Sequence, residues 1–191
     1  MIEELLYGRT RSFLIGRKIL INTDWTGSLL VFFACLKGRR INIKNIQYLL
    51  ITHYHPDHMG IAADLMEMGV ALLIMDVQKD FVHQSDAVFK KERRHRFTPV
   101  DERKAIFLNC SDSRNFLSQI GISGEIIPTP GHSDDSVSLI LDEEQAAFVG
   151  DFCPFEQVPY CQNRVLEESA SRLKSMGVKK IYYSHYPSED I

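Results

Sequence analysis

The stretch that most constrains this chain is His53-Tyr54-His55-Pro56-Asp57-His58, which follows directly on the apolar run Tyr48-Leu49-Leu50-Ile51-Thr52. Three imidazoles and a carboxylate within six residues repel and desolvate one another unless a cation binds them. A compact fold must therefore gather them around positive charge. Imidazole and carboxylate suit borderline divalent ions such as Zn²⁺, and a set without cysteine also suits Fe or Mn. Extended backbone would turn His53 and His55 to the same side, where they could grip one ion. Pro56 then turns the chain, and Asp57 and His58 fall on the first turn of a helix, within reach of a second ion.

Further donors follow in the same style. Thr129-Pro130-Gly131-His132-Ser133 comes after the short apolar stretch Ile126-Ile127 and sets one His in a tight turn. Ala146-Ala147-Phe148-Val149-Gly150-Asp151 is a strand ending in a carboxylate, and Lys180-Ile181-Tyr182-Tyr183-Ser184-His185 is a strand ending in an imidazole. Each donor stands at a strand end, where loops gather and sites are commonly built. A single His at a strand end is more often structural or superficial than a ligand. These residues count because of their company and order. Five of the seven histidines are absorbed in this way, while His83 and His95 read as solvated surface residues.

The order HxHxDH, TPGHS, a strand ending Gly-Asp and a strand ending in His resembles the metallo-β-lactamase-fold superfamily of metal-dependent hydrolases. Its glyoxalase II-like thioesterases and N-acyl-homoserine lactone lactonases are nearest in motif. Ser12–Gly16 and Lys18–Thr23 are similar to the superfamily's opening pair of strands, so the resemblance runs from about residue 10 to residue 186. It implies an α+β fold, a four-layer αββα sandwich, with residues 1–191 forming one hydrolase domain. It also implies two divalent ions, zinc first, with manganese or iron as alternatives. The first ion would be held by His53, His55 and His132, the second by Asp57, His58 and His185, with Asp151 bridging both. Asp151 stands where zinc β-lactamases carry a cysteine, which argues against β-lactamase activity.

Two ions imply hydrolysis by a bridging hydroxide, because coordination lowers the pKa of bound water to about 7. Asp57 is the candidate to pass a proton to the leaving group. No G-x-S-x-G arrangement supports a covalent route. The expected substrate is a small ester, thioester or lactone. A phosphodiester and iron-dependent redox chemistry of the sulfur dioxygenase or diiron kind are the alternatives. Two departures from the superfamily pattern stand out. Asn22-Thr23-Asp24 replaces the usual Asp-Thr-Gly, so a supporting carboxylate has become an amide or moved two positions. His185 lies between Ser184 and Tyr186 rather than between glycines.

Other features bound the context. The 191 residues, 45% of them hydrophobic, suffice for one domain with a sizeable core. A net charge of −3 disfavours a nucleic-acid partner. No apolar run reaches membrane-spanning length, so no membrane partner is expected. Met1-Ile2-Glu3-Glu4 lacks the features of a signal peptide. Cys35, Cys110, Cys153 and Cys161 match no disulfide or zinc-ribbon spacing, and together these features predict free thiols in the cytoplasm. Cys153 reads as a residue near the ions that packs or supports. Lys90–Phe97 is a basic run, read either as a solvated helix face or as a rim that attracts an anionic small molecule. Only six residues follow His185, so the helical region that carries glutathione contacts in glyoxalase II is not expected. Loops near 24–28, 86–104 and 152–165 should then line the pocket, with Trp25, Phe97, Phe152, Phe155 and Tyr160 as candidates. Strands are predicted at 12–15, 18–22, 47–52, 70–75, 105–108, 125–127, 137–141, 146–149 and 180–183. Helices are predicted at 26–36, 58–68, 77–90, 112–120 and 165–176, the last with Gly177 at its C-cap.

Overall fold

Short apolar runs broken by Gly, Asn and charged residues become the strands of two mixed sheets in the computed structural model, which describes residues 1–191. Two units are distinguished, Met1–Phe107 and Leu108–Ile191.

The first sheet contains β1 (Ile2–Leu6), β2 (Arg11–Ile15), β3 (Ile19–Ile21), β4 (Tyr48–Leu50), β5 (Ala71–Met75) and β6 (Ile106–Leu108), in that spatial order. β1, β2 and β3 pair antiparallel, whereas β3, β4 and β5 pair parallel. Ile19, Leu20, Ile21, Leu49, Leu50, Leu72 and Leu73 are all buried, as befits parallel strands covered on both faces. Helix α1 (Leu29–Gly38) adds Phe32 and Leu36, one turn apart, to this core. The strand predicted at 47–52 leaves the ladder after Leu50, and the chain runs on irregularly to His55.

His55 must stay extended because a proline follows it, and Pro56 then occupies the first position of α2 (Pro56–Met59). The helix predicted at 58–68 is broken, α3 (Ala62–Glu67) starting anew beyond Gly60 and Ile61. Close approach explains the break. Gly60 N donates to Asp24 O at 3.0 Å, and a Cβ on Gly60 would lie 2.2 Å from Thr26 N. The helix predicted at 77–90 reduces to a 3₁₀ turn over Asp76–Gln78 and α4 (Asp86–Phe89). Gln78 turns back to accept from Met75 N at 3.2 Å and donate to Ile51 O at 2.9 Å, which competes with helix continuation. Strand β1 was not anticipated, since Ile-Glu-Glu-Leu-Leu contains no apolar run. Its place at the edge is supported by ion pairs, Arg11–Glu4 at 2.8 Å and Arg17–Glu3 at 2.9 Å.

The second unit holds α5 (Ser113–Gln119), β7 (Gly124–Pro128), β8 (Val137–Leu141), β9 (Ala146–Gly150), α6 (Arg164–Ser175), β10 (Lys180–Tyr183) and the unanticipated β11 (Glu189–Asp190). Its sheet runs β11-β10-β9-β8-β7, with only β9 and β10 parallel. Asn163 caps α6 by accepting from Leu166 N at 3.2 Å, and Leu166, Ala170 and Leu173 turn into the core. Gly177, at φ +77°, follows the last turn as predicted. No helix is long and apolar enough to cross a membrane.

Candidate metal centre

Within the first unit, the hexapeptide gathers its donors tightly. His53 and His55 meet edge-to-face with ring centroids 4.5 Å apart, and His53 Nε2 lies 3.1 Å from His55 Nδ1. The His58 ring sits 4.2 Å from that of His53, and Asp57 Oδ1 lies 3.8 Å from His58 Nε2. His53 and His58 are 1% and 0% exposed, so two adjoining imidazoles have been taken out of water.

Polar neighbours aim these rings. Asn22 occupies the left-handed region at φ +57°, which asparagine tolerates better than most residues. Its Oδ1 accepts from Thr52 N at 2.7 Å, and the two side chains bond at 2.9 and 3.1 Å. Thr52 Oγ1 in turn lies 3.2 Å from His53 Nδ1. When the hydroxyl proton points to Asn22, Thr52 accepts from His53 Nδ1–H, and Nε2 is left with its lone pair for a metal. Gln78 holds the Ile51 carbonyl, and Ser85 Oγ donates to Tyr54 O at 2.6 Å. Sequence reasoning missed Thr52, Gln78 and Ser85; Thr52 at least ends an apolar run, whereas Gln78 and Ser85 lie among polar residues and carry no signal of their own. The altered Asn-Thr-Asp tripeptide divides its labour. Asn22 serves the strand end, while Asp24 accepts from Arg9 N (2.5 Å), Thr10 N (3.0 Å) and Trp25 N (2.6 Å) to order its loop.

The second unit assembles the other donors around Asp151. Asp151 Oδ2 lies 3.6 Å from His132 Nε2, and Oδ1 lies 3.3 Å from His185 Nε2. One carboxylate thus turns each oxygen to a different imidazole. The His132 turn is closed by Thr129 N donating to Ser136 O at 2.9 Å and by a 2.8 Å contact between Ser133 Oγ and Ser136 Oγ. From α6, Ser169 Oγ donates to Pro130 O at 2.8 Å, and the capping Asn163 donates to Gly131 O at 3.0 Å. Gly131 stands at φ +141°, and a Cβ there would lie 2.9 Å from Leu166 Cα, so only glycine suits this turn. The residues flanking His185 do not crowd it equally. Ser184 is buried with its N–H on Gly150 O at 2.9 Å, while Tyr186 is 44% exposed.

The predicted lining needs correction. Phe152 and Phe155 are buried in the core of the second unit, and Trp25 and Phe97 pack against Phe89 at 5.4 and 4.0 Å. Tyr160 alone among the five is largely exposed. The basic run is no helix face. It follows α4 as an irregular segment, tied down by Thr26 Oγ1 donating to Arg96 O at 3.0 Å and by His95 lying over Gly27. His83 is exposed, with its ring nitrogens 3.1 Å from Asp86 and 3.0 Å from Glu102. Cys153 Sγ lies 3.1 Å from Cys161 Sγ, and burial, followed by that contact, pushes the Cys153 thiol up to about 12.

The donors are imidazole nitrogens and carboxylate oxygens in close groups, a chemistry that fits divalent cations. The sequence model described as the Metallo-beta-lactamase superfamily matches residues 8–185. The chain is 27% identical over 186 residues to the Beta-lactamase-like protein 2 homolog of Caenorhabditis elegans, covering 95% of this chain and 57% of that protein. It is 30% identical over 150 residues to the Atrochrysone carboxyl ACP thioesterase of Aspergillus fumigatus, covering 74% of this chain and 29% of that one. The chain therefore spans between about a third and three fifths of these relatives' lengths. Among solved structures it is similar to TTHA1623 in a di-iron-bound form, with TM-score 0.65 and 19% identity over 97% of this chain and 92% of that one. It is likewise similar to FIM-1 from Pseudomonas aeruginosa in a mono-zinc form, with TM-score 0.67 and 18% identity over 99% and 84%. These two likenesses bear on the fold, which is the α+β metallo-β-lactamase fold expected from the motifs. The chain belongs to the metallo-beta-lactamase superfamily.

Proposed function

We propose that the two donor groups act together, in one domain over residues 1–191, as a dinuclear centre that hydrolyses a small ester, thioester or lactone. His53, His55 and His132 would hold the first ion, Asp57, His58 and His185 the second, and Asp151 both. The observation that carries this reading is Asp151, whose carboxylate lies between His132 and His185 with one oxygen toward each, so that it belongs to both donor groups. When bound, a pair of divalent ions supplies a water activated at neutral pH and polarises the acyl oxygen. Zinc is the first candidate for both ions, with manganese and iron behind it.

The chain's own residues do the rest. Thr52 holds the His53 tautomer, and the α6 contacts hold the His132 turn. The Asp57 side chain is 36% exposed, which lets its carboxylate carry a proton between the reacting group and solvent. The thioesterase name of the Aspergillus fumigatus relative supports acyl chemistry. The exposed Arg93, Arg94 and Arg96 favour a small anionic substrate, and they are the one feature that supports a phosphodiester as the second reading. The free thiols fit a cytoplasmic protein.

The test is metal content per chain by mass spectrometry, on protein purified without a metal-binding tag, beside His58→Ala and Asp151→Ala. Two equivalents of zinc or manganese, reduced in both variants, together with turnover of ester, thioester or lactone probes, are the expected result. Absence of bound metal under every loading condition overturns the proposal. Turnover of phosphodiesters alone moves it to the second reading.

A further inference from the structure

We propose that Cys153 and Cys161 form a reversible intramolecular disulfide that staples the loop after Asp151. Their sulfurs are 3.1 Å apart, eight positions separate them, and neither is bonded to another cysteine. Formation of the bond requires the sulfurs to close by only about 1 Å, to the ~2.05 Å of a disulfide.

The surroundings give the staple a consequence. The start of the loop is already fixed, since Phe155 N donates to Glu189 Oε1 at 2.7 Å and to Tyr183 Oη at 3.2 Å. Its far end, from Gln157 to Gln162, is held in the core by Val158, but the same short 3₁₀ turn, Val158–Tyr160, exposes Tyr160 to 84%. Cys161 lies on that far end and Cys153 on the fixed start. A bond between them ties the exposed end of the loop to the anchored one. Asp151 precedes this ring by two residues, and Asn163, which holds Gly131 beside His132, follows it by two. The staple therefore spans the stretch between two elements that position metal-ligand candidates.

The chemistry balances with a low-molecular-weight disulfide such as oxidised glutathione as the oxidant. The exposed Cys161 thiolate attacks one sulfur of that disulfide and expels one thiolate. Cys153 sulfur then attacks Cys161 in the mixed disulfide, expels the second thiolate and gives up its proton to solvent. Two protein thiols are oxidised to one disulfide, and one small disulfide is reduced to two thiols.

The experiment is alkylation and intact-mass analysis of metal-loaded protein equilibrated with oxidised glutathione, followed by peptide mapping without reduction. The expected result is loss of two of the four alkylatable thiols, a cross-linked peptide joining Cys153 to Cys161, and full return of the thiols with dithiothreitol. In Cys153→Ser, Cys161 should instead retain bound glutathione, because no second thiol is there to displace it. The closed protein should also resist chymotryptic cleavage at Tyr160 more than the reduced protein does. Four alkylatable thiols after equilibration, a persistent glutathione adduct on wild-type Cys161, or a bond to Cys35 or Cys110 overturns the proposal. None of these readouts depends on the hydrolytic reading, so the two can fail separately.

Discussion

At the scale of single residues, the quality of a metal site rests on side chains that never touch the ion. Thr52 is such a residue, wedged between Asn22 and His53 Nδ1. Thr52→Val keeps the shape and removes the hydroxyl, so His53 loses the partner that selects its tautomer. Loss of such a partner typically lowers metal affinity by about 10–100-fold, and competition with a chromophoric chelator measures it. Asn22→Ala acts on stability as well. It strips the buried Thr52 N–H of its acceptor, at a cost of about 1–3 kcal/mol, which chemical denaturation of wild type and variant would show. Asp57→Asn separates a ligand role from a proton-carrying role. If Asp57 carries the proton, kcat falls by about 10²–10⁴, beyond any change in metal content.

At the scale of elements, the site depends on turns held by neighbouring helices and strands. Gly131 shows this most directly, for its backbone carries the His132 turn against α6. Gly131→Ala forces both a positive φ on a residue with a Cβ and a contact 2.9 Å from Leu166 Cα. A strained backbone position costs about 1–3 kcal/mol, and thermal unfolding should register at least that loss. Strand β7 and the β8–β9 turn are linked by a different device. Arg114 on α5 donates to Asp142 at 2.6 Å and to Glu125 at 2.6 Å, and Ser123 donates to Asp142 at 2.9 Å. The Arg114 bond, followed by that of Ser123, holds the Asp142 carboxyl below its ordinary pKa. Its stabilising contribution is therefore complete above the ordinary carboxylate range and disappears as pH falls through the lowered value. In Arg114→Ala, the stability deficit should be greatest near neutral pH and shrink in acid, as pH-dependent melting would show.

At the scale of the whole molecule, bound ions and folding are linked, because ions that bind only the folded chain stabilise it by mass action. Free metal at a hundred times its Kd contributes about 2.7 kcal/mol, and each kcal/mol shifts Tm by about 2–4 °C in a protein of this size. Removal of metal by a chelator should thus lower Tm by about 5–11 °C, and added metal should restore it. The candidate donors that the structure gathers, His53, His55, Asp57, His58, His132, Asp151 and His185, were legible in the sequence because donor chemistry is a property of residue type. The turn at Pro56, the glycine stop of α6 at Gly177 and the nine strands β2 to β10 were legible for the same local reason. The broken helix at Gly60, the segment from Lys79 to Ser85 that is not helical and the edge strands β1 and β11 were not. Each depends on a partner distant in the chain, as Gly60 depends on Thr26 and Gln78 on Ile51. The same holds for Asn22 with Thr52, thirty positions apart, and for the meeting of Cys153 with Cys161. Local periodicity and residue chemistry determine which groups can bind and which segments can pair. Which polar side chain aims which ligand is decided only when the folded chain brings hydrogen-bond partners together, and no periodic pattern in the sequence records that meeting.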